Sequence, residues 1–156
     1  MNAAAILDAA RAQGVLIATA ESCTGGLVSG ALTAIPGSSD VLERGFVTYS
    51  NEAKQEMLGV NPATLAEHGA VSEPVAAEMA AGAVAHSRAG LAVSITGIAG
   101  PGGSEHKPEG RVCFGIATDN GRVHTETVEF GPLGREQVRA ASVSHALMML
   151  ATELGI

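Results

Sequence analysis

An apolar run, Val15-Leu16-Ile17, passes without a break into Ala18-Thr19-Ala20-Glu21-Ser22-Cys23-Thr24-Gly25-Gly26, which opens into the small-residue and apolar segment Leu27 to Ile35. No other stretch constrains the fold as tightly. An unbroken apolar run is the pattern of a strand buried on both faces. The sequence therefore predicts a strand over Val15 to Ala20, a glycine-containing turn, and a helix from Leu27 to Ile35. In open α/β sheets, ligands bind where a strand's carboxyl end turns into a helix. Free N–H groups at a helix start attract anions or a developing oxyanion. Ser22 falls at the mouth of such a turn.

The rest of the chain continues the alternation. Asn2 caps a short Ala-rich helix ending near Gly14. Pro36-Gly37 stop the second helix, and Gly45 to Tyr49 read as a second strand. Ser50 or Asn51 then caps a helix through Leu58, closed by Gly59. Asn61-Pro62 starts another that ends at His68-Gly69, and Ser72-Glu73-Pro74 opens a longer one to about Ser87. Leu91 to Thr96 is the third strand. Gly97 to Gly110 is a loop with five glycines and two prolines, a length that in a compact domain marks function. Arg111 to Thr118 and Arg122 to Phe130 form a hairpin around Asp119-Asn120-Gly121, and a last helix runs from about Arg135 to Leu154. The expected architecture is α/β: a three-layer α/β/α sandwich with a mixed, mostly parallel sheet and a late β-hairpin. If the first and third strands are parallel neighbours, the Ser22 turn and the Gly97 loop meet at one edge.

Length and composition narrow the function. The 156 residues suit one domain spanning 1–156. At 46% apolar and 16% charged residues, a packed core is expected rather than disorder. Nine basic residues against 16 acidic give a net charge of −7, which disfavours nucleic acid as a partner. Aromatic platforms for stacking bases are scarce. No apolar run reaches the length of a membrane span, and the N-terminus lacks a basic region ahead of its short apolar run; the expectation is a soluble, cytoplasmic protein. Two cysteines, Cys23 and Cys113, make no disulfide framework, and no Cys/His spacing suggests a metal.

Several residues carry candidate chemistry, each beside a plainer reading. Ser22 and Thr24 suit helix caps as well as catalysis. Cys23 is a rival nucleophile, because a helix start lowers a thiol's pKa. Lys54 reads as a solvated lysine or as the base of a Ser–Lys pair, provided burial lowers its pKa. His68, His86, His124 and His145 read as surface residues, whereas His106, in the glycine loop, is placed to approach a ligand. Arg135 and Arg139 open the last helix, where they can meet a phosphate or a carboxylate. The residues alone lead to a small-molecule-binding α/β domain.

Four strings go further. Thr19 to Gly26 resembles the hallmark of the CinA C-terminal domain family, as do Gly45 to Lys54, Gly69-Ala70-Val71-Ser72, and Ser94 to Pro101. They occur in the family's order, and the similarity spans nearly the whole chain. It is to the stand-alone form, without the extra N-terminal domain of longer members. The resemblance implies hydrolytic deamidation of nicotinamide mononucleotide to nicotinic acid mononucleotide and ammonia, in pyridine nucleotide recycling. It implies a serine nucleophile with a lysine base and neither metal nor cofactor. Carried onto this sequence, these are Ser22 and Lys54, with Tyr49 and Thr96 matching further polar positions. Backbone groups around Thr24, Gly25 and Gly26 are then expected at the oxyanion, with Ser38, Arg139, Gly97 and Gly100 as candidates to hold the substrate. A homodimer is implied by resemblance alone. Two alternatives stand beside this: a nucleotide-sensing domain without turnover, and a cysteine amidase using Cys23.

Overall fold

The computed structural model describes residues 2–156. Its elements run α1 (Ala3–Gln13), β1 (Ile17–Glu21), α2 (Leu27–Thr33), β2 (Leu42–Val47), α3 (Asn51–Leu58), α4 (Pro62–His68), α5 (Glu73–Ala85), β3 (Leu91–Gly97), β4 (Arg111–Thr118), β5 (Val123–Glu129) and α6 (Arg135–Glu153), with a 3-10 turn at Ser38–Asp40. The sheet order is β2-β1-β3-β4-β5. Strand β1 lies between β2 and β3, parallel to both, whereas β4 runs antiparallel to β3 and β5 to β4. Four of the five strands therefore point one way, and the late hairpin supplies the single reversal.

The period-two alternation of β1 builds the three layers. Ile17 joins Val93, Ile95 and Phe114 under α1, α2 and α6. Ala18 and Ala20 face the other way, under α3, α4 and α5. That second face is made of small residues because backbones approach closely there. A Cβ on Gly115 would lie 2.6 Å from the Ala76 carbonyl, and one on Gly82 would lie 2.0 Å from the Leu58 carbonyl.

Several strand boundaries differ from the sequence reading. Val15 donates back to the Ala10 carbonyl (2.9 Å) and closes α1, so β1 starts at Ile17 and takes in Glu21. β2 begins at Leu42, three residues before the expected Gly45. It ends at Val47 because the Thr48 carbonyl turns to Lys54 and Ser50 caps α3. The hairpin strand β5 likewise starts at Val123. His145 is not a surface residue: its ring packs 4.5 Å from that of Phe114, with its side chain largely covered.

Because β1, β2 and β3 are parallel, their carboxyl ends share one edge. There the Ser22 N–H donates to the Ile95 carbonyl (2.9 Å), and the Thr48 N–H to the Glu21 carbonyl (2.8 Å). The Ser22 turn and the Gly97 loop meet at this edge. No helix is long and apolar enough to cross a membrane among the described residues.

Candidate active site

The turn after β1 is held from beneath by Glu21. Its carboxylate is fully buried and accepts hydrogen bonds from the Val28 N–H (2.9 Å), the Ser29 N–H (3.0 Å) and the Thr24 hydroxyl (2.6 Å). A carboxylate at a helix start satisfies orphan N–H groups and complements the helix dipole. Gly26, the residue at the N-cap, has no side chain to do so. Glu21 thus performs the capping that the sequence left open to Ser22 and Thr24. Thr24 is buried as a prop for that carboxylate, and the Ser22 hydroxyl is released for other partners. Gly25 and Gly26 make the bend itself, with φ of 57° and 104° that other residues rarely adopt.

Lys54 provides the partner. It is 1% exposed, so the reading as a solvated lysine is set aside. Ser50 caps α3 by accepting from the Ala53 N–H (3.0 Å), which places Lys54 in the first turn. Helical side chains lean toward the N-terminus, so Lys54 reaches back to the sheet edge. Its Nζ lies 3.1 Å from Ser22 Oγ and donates to the Thr48 carbonyl, also at 3.1 Å. Burial holds its pKa below the ordinary lysine value, opposed by more distant acidic groups that include Glu105 and Glu52. No carboxylate forms an ion pair with it among the described residues. Burial also pushes the adjacent Cys23 thiol up to about 12, which keeps it protonated at neutral pH and weakens its case as a nucleophile.

Ser22, Cys23 and Lys54 form one wall of a cavity of about 190 Å³, with Tyr49, Asn51, Ala70, Val71, Thr96, Glu105 and Arg135 among the other lining residues. The cavity continues past Tyr49 and Arg135 into a shallower cleft of about 290 Å³, walled by Gly97 and the loop residues Gly100 to Ser104. Thr96 donates its hydroxyl to the Ala70 carbonyl (2.9 Å) and so ties β3 to the turn before α5. Tyr49 is largely exposed, and its hydroxyl accepts from Arg135 (2.6 Å) rather than from Lys54. Arg135 also donates to the Gly100 carbonyl (2.6 Å), which fixes it across the cleft.

The other anticipated residues lie elsewhere. Arg139 donates to the Cys23 and Thr24 carbonyls (3.1 and 3.5 Å) and so clamps the outer side of the turn. The Gly25 N–H is taken by the Ser22 carbonyl (3.0 Å). Ser38 precedes β2, and because Ile17 pairs with Leu42 while Glu21 pairs with Val47, it sits at the opposite edge of the sheet. The structure does not bring it to the cavity. His106 is exposed at a loop tip and is not on the cavity wall. No group of three or more His, Cys, Asp or Glu residues is arranged to hold a metal ion among the described residues.

The chain that forms this cavity is similar to known proteins over nearly its whole length. The model of the CinA C-terminal domain matches residues 2–154. The chain belongs to that family. It is 55% identical over 144 residues to the nicotinamide-nucleotide amidohydrolase PncC of Escherichia coli K12, covering 92% of this chain and 87% of that protein. A CinA-like protein of Mycobacterium marinum is 53% identical over 139 residues, 88% of this chain but 32% of that longer protein. Among solved structures, the competence/damage inducible protein CihA of Agrobacterium tumefaciens superposes with a TM-score of 0.94 at 50% identity, covering 99% of this chain and 93% of that one. A CinA superfamily protein of Escherichia coli gives 0.91 at 38%, covering 95% and 86%.

Glu21, the Thr48 carbonyl and Glu105 were not anticipated from sequence. An acidic residue closing an otherwise apolar strand, seven residues before the Val28 N–H it binds, is the signal that points to Glu21 as a cap. The other two depend on tertiary contacts.

Proposed function

We propose that this chain is a nicotinamide-nucleotide amidohydrolase in which Ser22 is the nucleophile and Lys54 the general base. The supporting observation is the 3.1 Å contact between Lys54 Nζ and Ser22 Oγ on the wall of a cavity. The match to PncC supports the amide of nicotinamide mononucleotide as the target.

The steps follow from the contact. Neutral Lys54 takes the proton of Ser22 as Oγ attacks the carboxamide carbon. The carbonyl oxygen gathers negative charge. Cys23 lines the cavity, and its N–H, which donates to no backbone carbonyl among the described residues, is the proposed donor to it. Lys54 returns the proton to the departing nitrogen, and ammonia leaves an acyl ester on Ser22. Water attacks that ester with Lys54 again as base, releasing the carboxylic acid and restoring Ser22. The Thr48 carbonyl holds Lys54 toward Ser22 throughout.

With the carboxamide at Ser22, the remainder of the nucleotide extends along the adjoining cleft. Arg135, exposed and tied only to neutral oxygens, is the cation placed to meet the phosphate. The test is ammonia release from nicotinamide mononucleotide by the purified protein, with and without chelator. Turnover that is insensitive to chelation and absent in Ser22→Ala supports the reading. Tight nucleotide binding without ammonia would identify a sensing domain instead. Arg135→Ala should raise KM about tenfold with a smaller change in kcat, since an exposed charged contact to phosphate contributes on the order of one power of ten.

A further inference from the structure

Glu105 places a carboxylate on the wall of a cavity whose basic lining residues are Lys54 and Arg135. Ser104 and Lys107 pair as a bridge, and Glu105 and His106 turn between them with φ of 51° and 64°. Both residues adopt the left-handed conformation that favours glycine or asparagine. The tip is nevertheless anchored. Lys107 Nζ donates to the His68 carbonyl (2.7 Å) and to that of Val71. Glu105 Oε2 lies over Gly69, where a Cβ would come within 2.8 Å of it. The exposed Glu105 side chain thus reaches from the loop tip to the Gly69 turn, where Lys107 Nζ would also come within 2.9 Å of that Cβ, and glycine at 69 leaves room for both.

That carboxylate makes no hydrogen bond or ion pair among the described residues, since Lys107 is spent on backbone carbonyls. It is the one acidic residue lining the cavity among the described residues, and its charge acts on Lys54. Lys107, near but bonded to carbonyls, offsets this charge only in part, so for a ligand that carries a phosphate the carboxylate is repulsive unless another part of the ligand is positive. The oxidised nicotinamide ring is such a part: its quaternary nitrogen lies two ring bonds from the carbon that bears the carboxamide.

We propose that Glu105 is a specificity-determining residue that selects the cationic, oxidised pyridinium ring over neutral ring forms of the same nucleotide. This rests on the proposed carboxamide chemistry at Ser22. Arg135 then meets the phosphate and Glu105 the ring charge, so the lining supplies an opposite charge for each charged part of the ligand.

The test uses the Ser22→Ala protein, which binds without turnover. Dissociation constants are measured by calorimetry for oxidised nicotinamide mononucleotide and for its reduced, uncharged dihydropyridine form, which share ribose and phosphate. With Glu105 present, the oxidised form should bind more tightly, and Glu105→Gln should cut that preference about tenfold, as expected for one partly screened charge pair. Glu105→Asp, which keeps the charge, should retain part of the preference. In the active enzyme, Glu105→Gln should shift the acid limb of the pH profile downward, because Lys54 loses a charge that favours its protonated form. An unchanged preference, or equal loss for both ring forms, overturns the proposal, the latter pointing to the shared ribose. Failure of the wild-type protein to release ammonia would sink the amidohydrolase reading, whereas the binding preference is read without turnover.

Discussion

Glu21 and Lys54 flank Ser22 on opposite faces of the sheet, and both are buried charges. Glu21 meets two helix N–H groups, a hydroxyl and the positive end of α2. Lys54 meets one hydroxyl and one carbonyl, with no counter-ion among the described residues. Hydrogen bonds that saturate a buried polar group rigidify its surroundings, whereas burial without a counter-ion lowers the pKa of Lys54. The first pattern fits a device that holds the turn in shape. The second fits a base that must give up its proton. Equal burial therefore does not imply equal role; the supply of partners separates the two.

The largest expected effect is on catalysis. Ser22→Ala should lower kcat/KM by about 10⁴-fold or more, as loss of a nucleophile does. Lys54→Arg should be nearly as damaging although it keeps the positive charge, because guanidinium does not deprotonate in a protein. Both should fold with near-native circular dichroism. A nearly active Lys54→Arg would break the comparison by showing that the lysine acts through its charge alone.

Glu21 should reveal itself in stability. Glu21→Gln keeps the shape but turns an amide donor toward N–H donors, leaving part of the α2 start unsatisfied. A loss of about 2 kcal/mol is expected, read as a fall in Tm of roughly 4–8 °C. Urea unfolding that matches the native protein would show the carboxylate to be dispensable to the turn.

Lys54 should behave in the opposite sense when its charge is removed. Its native pKa is held below the ordinary lysine value, so the unfolded chain binds its proton more tightly. The resulting penalty is absent above the unfolded pKa of about 10.4. It grows as pH falls and is complete below the native pKa. Lys54→Met, apolar and of similar length, should therefore be inactive yet more stable than wild type by about 1 kcal/mol at neutral pH, the trade often found at catalytic sites. The gain should shrink as pH approaches 10. Native activity should rise with pH through an ionisation lying below the usual lysine range. A Lys54→Met protein less stable than wild type at pH 7 would place Lys54 with Glu21, as a structural charge.

Much of this was legible from residues because local chemistry dictated it. Asn2, Ser50, Asn61 and Ser72 all cap the helices they were expected to open, and Gly14 and Gly59 close theirs in the left-handed conformation. The apolar run before Ser22 marked a buried strand and the Asn-Gly turn a late hairpin, whereas the order of strands in the sheet comes from their pairing. The strand ends were less legible, because hydrogen bonds outside the strands decide them: Val15 to Ala10, and the Thr48 carbonyl to Lys54. The burial of Lys54 is a property of the β2–α3 corner and leaves no mark on its own helix, which is polar around it. Spacing cannot place Ser38 at the far edge of the sheet, or Arg139 behind the turn and Arg135 across the cleft. Only the register of β1 with β2 and the direction of α6 do that.

The smallest effect is expected at Cys23, where two arguments from position pull apart. A thiol at a helix start is ordinarily acidified, yet burial outweighs that here and raises the pKa to about 12. At neutral pH essentially no thiolate exists, and the side chain packs in the apolar cluster under α2 and α6. Cys23→Ala should therefore keep most of the activity, within about threefold. It should cost on the order of 1 kcal/mol from the lost packing of one sulfur atom. The raised pKa also sets a sign: the folded state keeps a proton that the unfolded thiol releases above about 8.5. Native stability derived from this group is complete below that value and is lost as pH climbs toward 12. The deficit of Cys23→Ala should thus be largest near pH 7 and narrow above pH 9. Alkylation by iodoacetamide offers an independent measure, since a buried thiol should react far more slowly than the same group in the urea-unfolded chain. Rapid labelling of the folded protein with parallel loss of ammonia release, together with an inactive Cys23→Ala, would transfer the nucleophile's role from Ser22 to its neighbour.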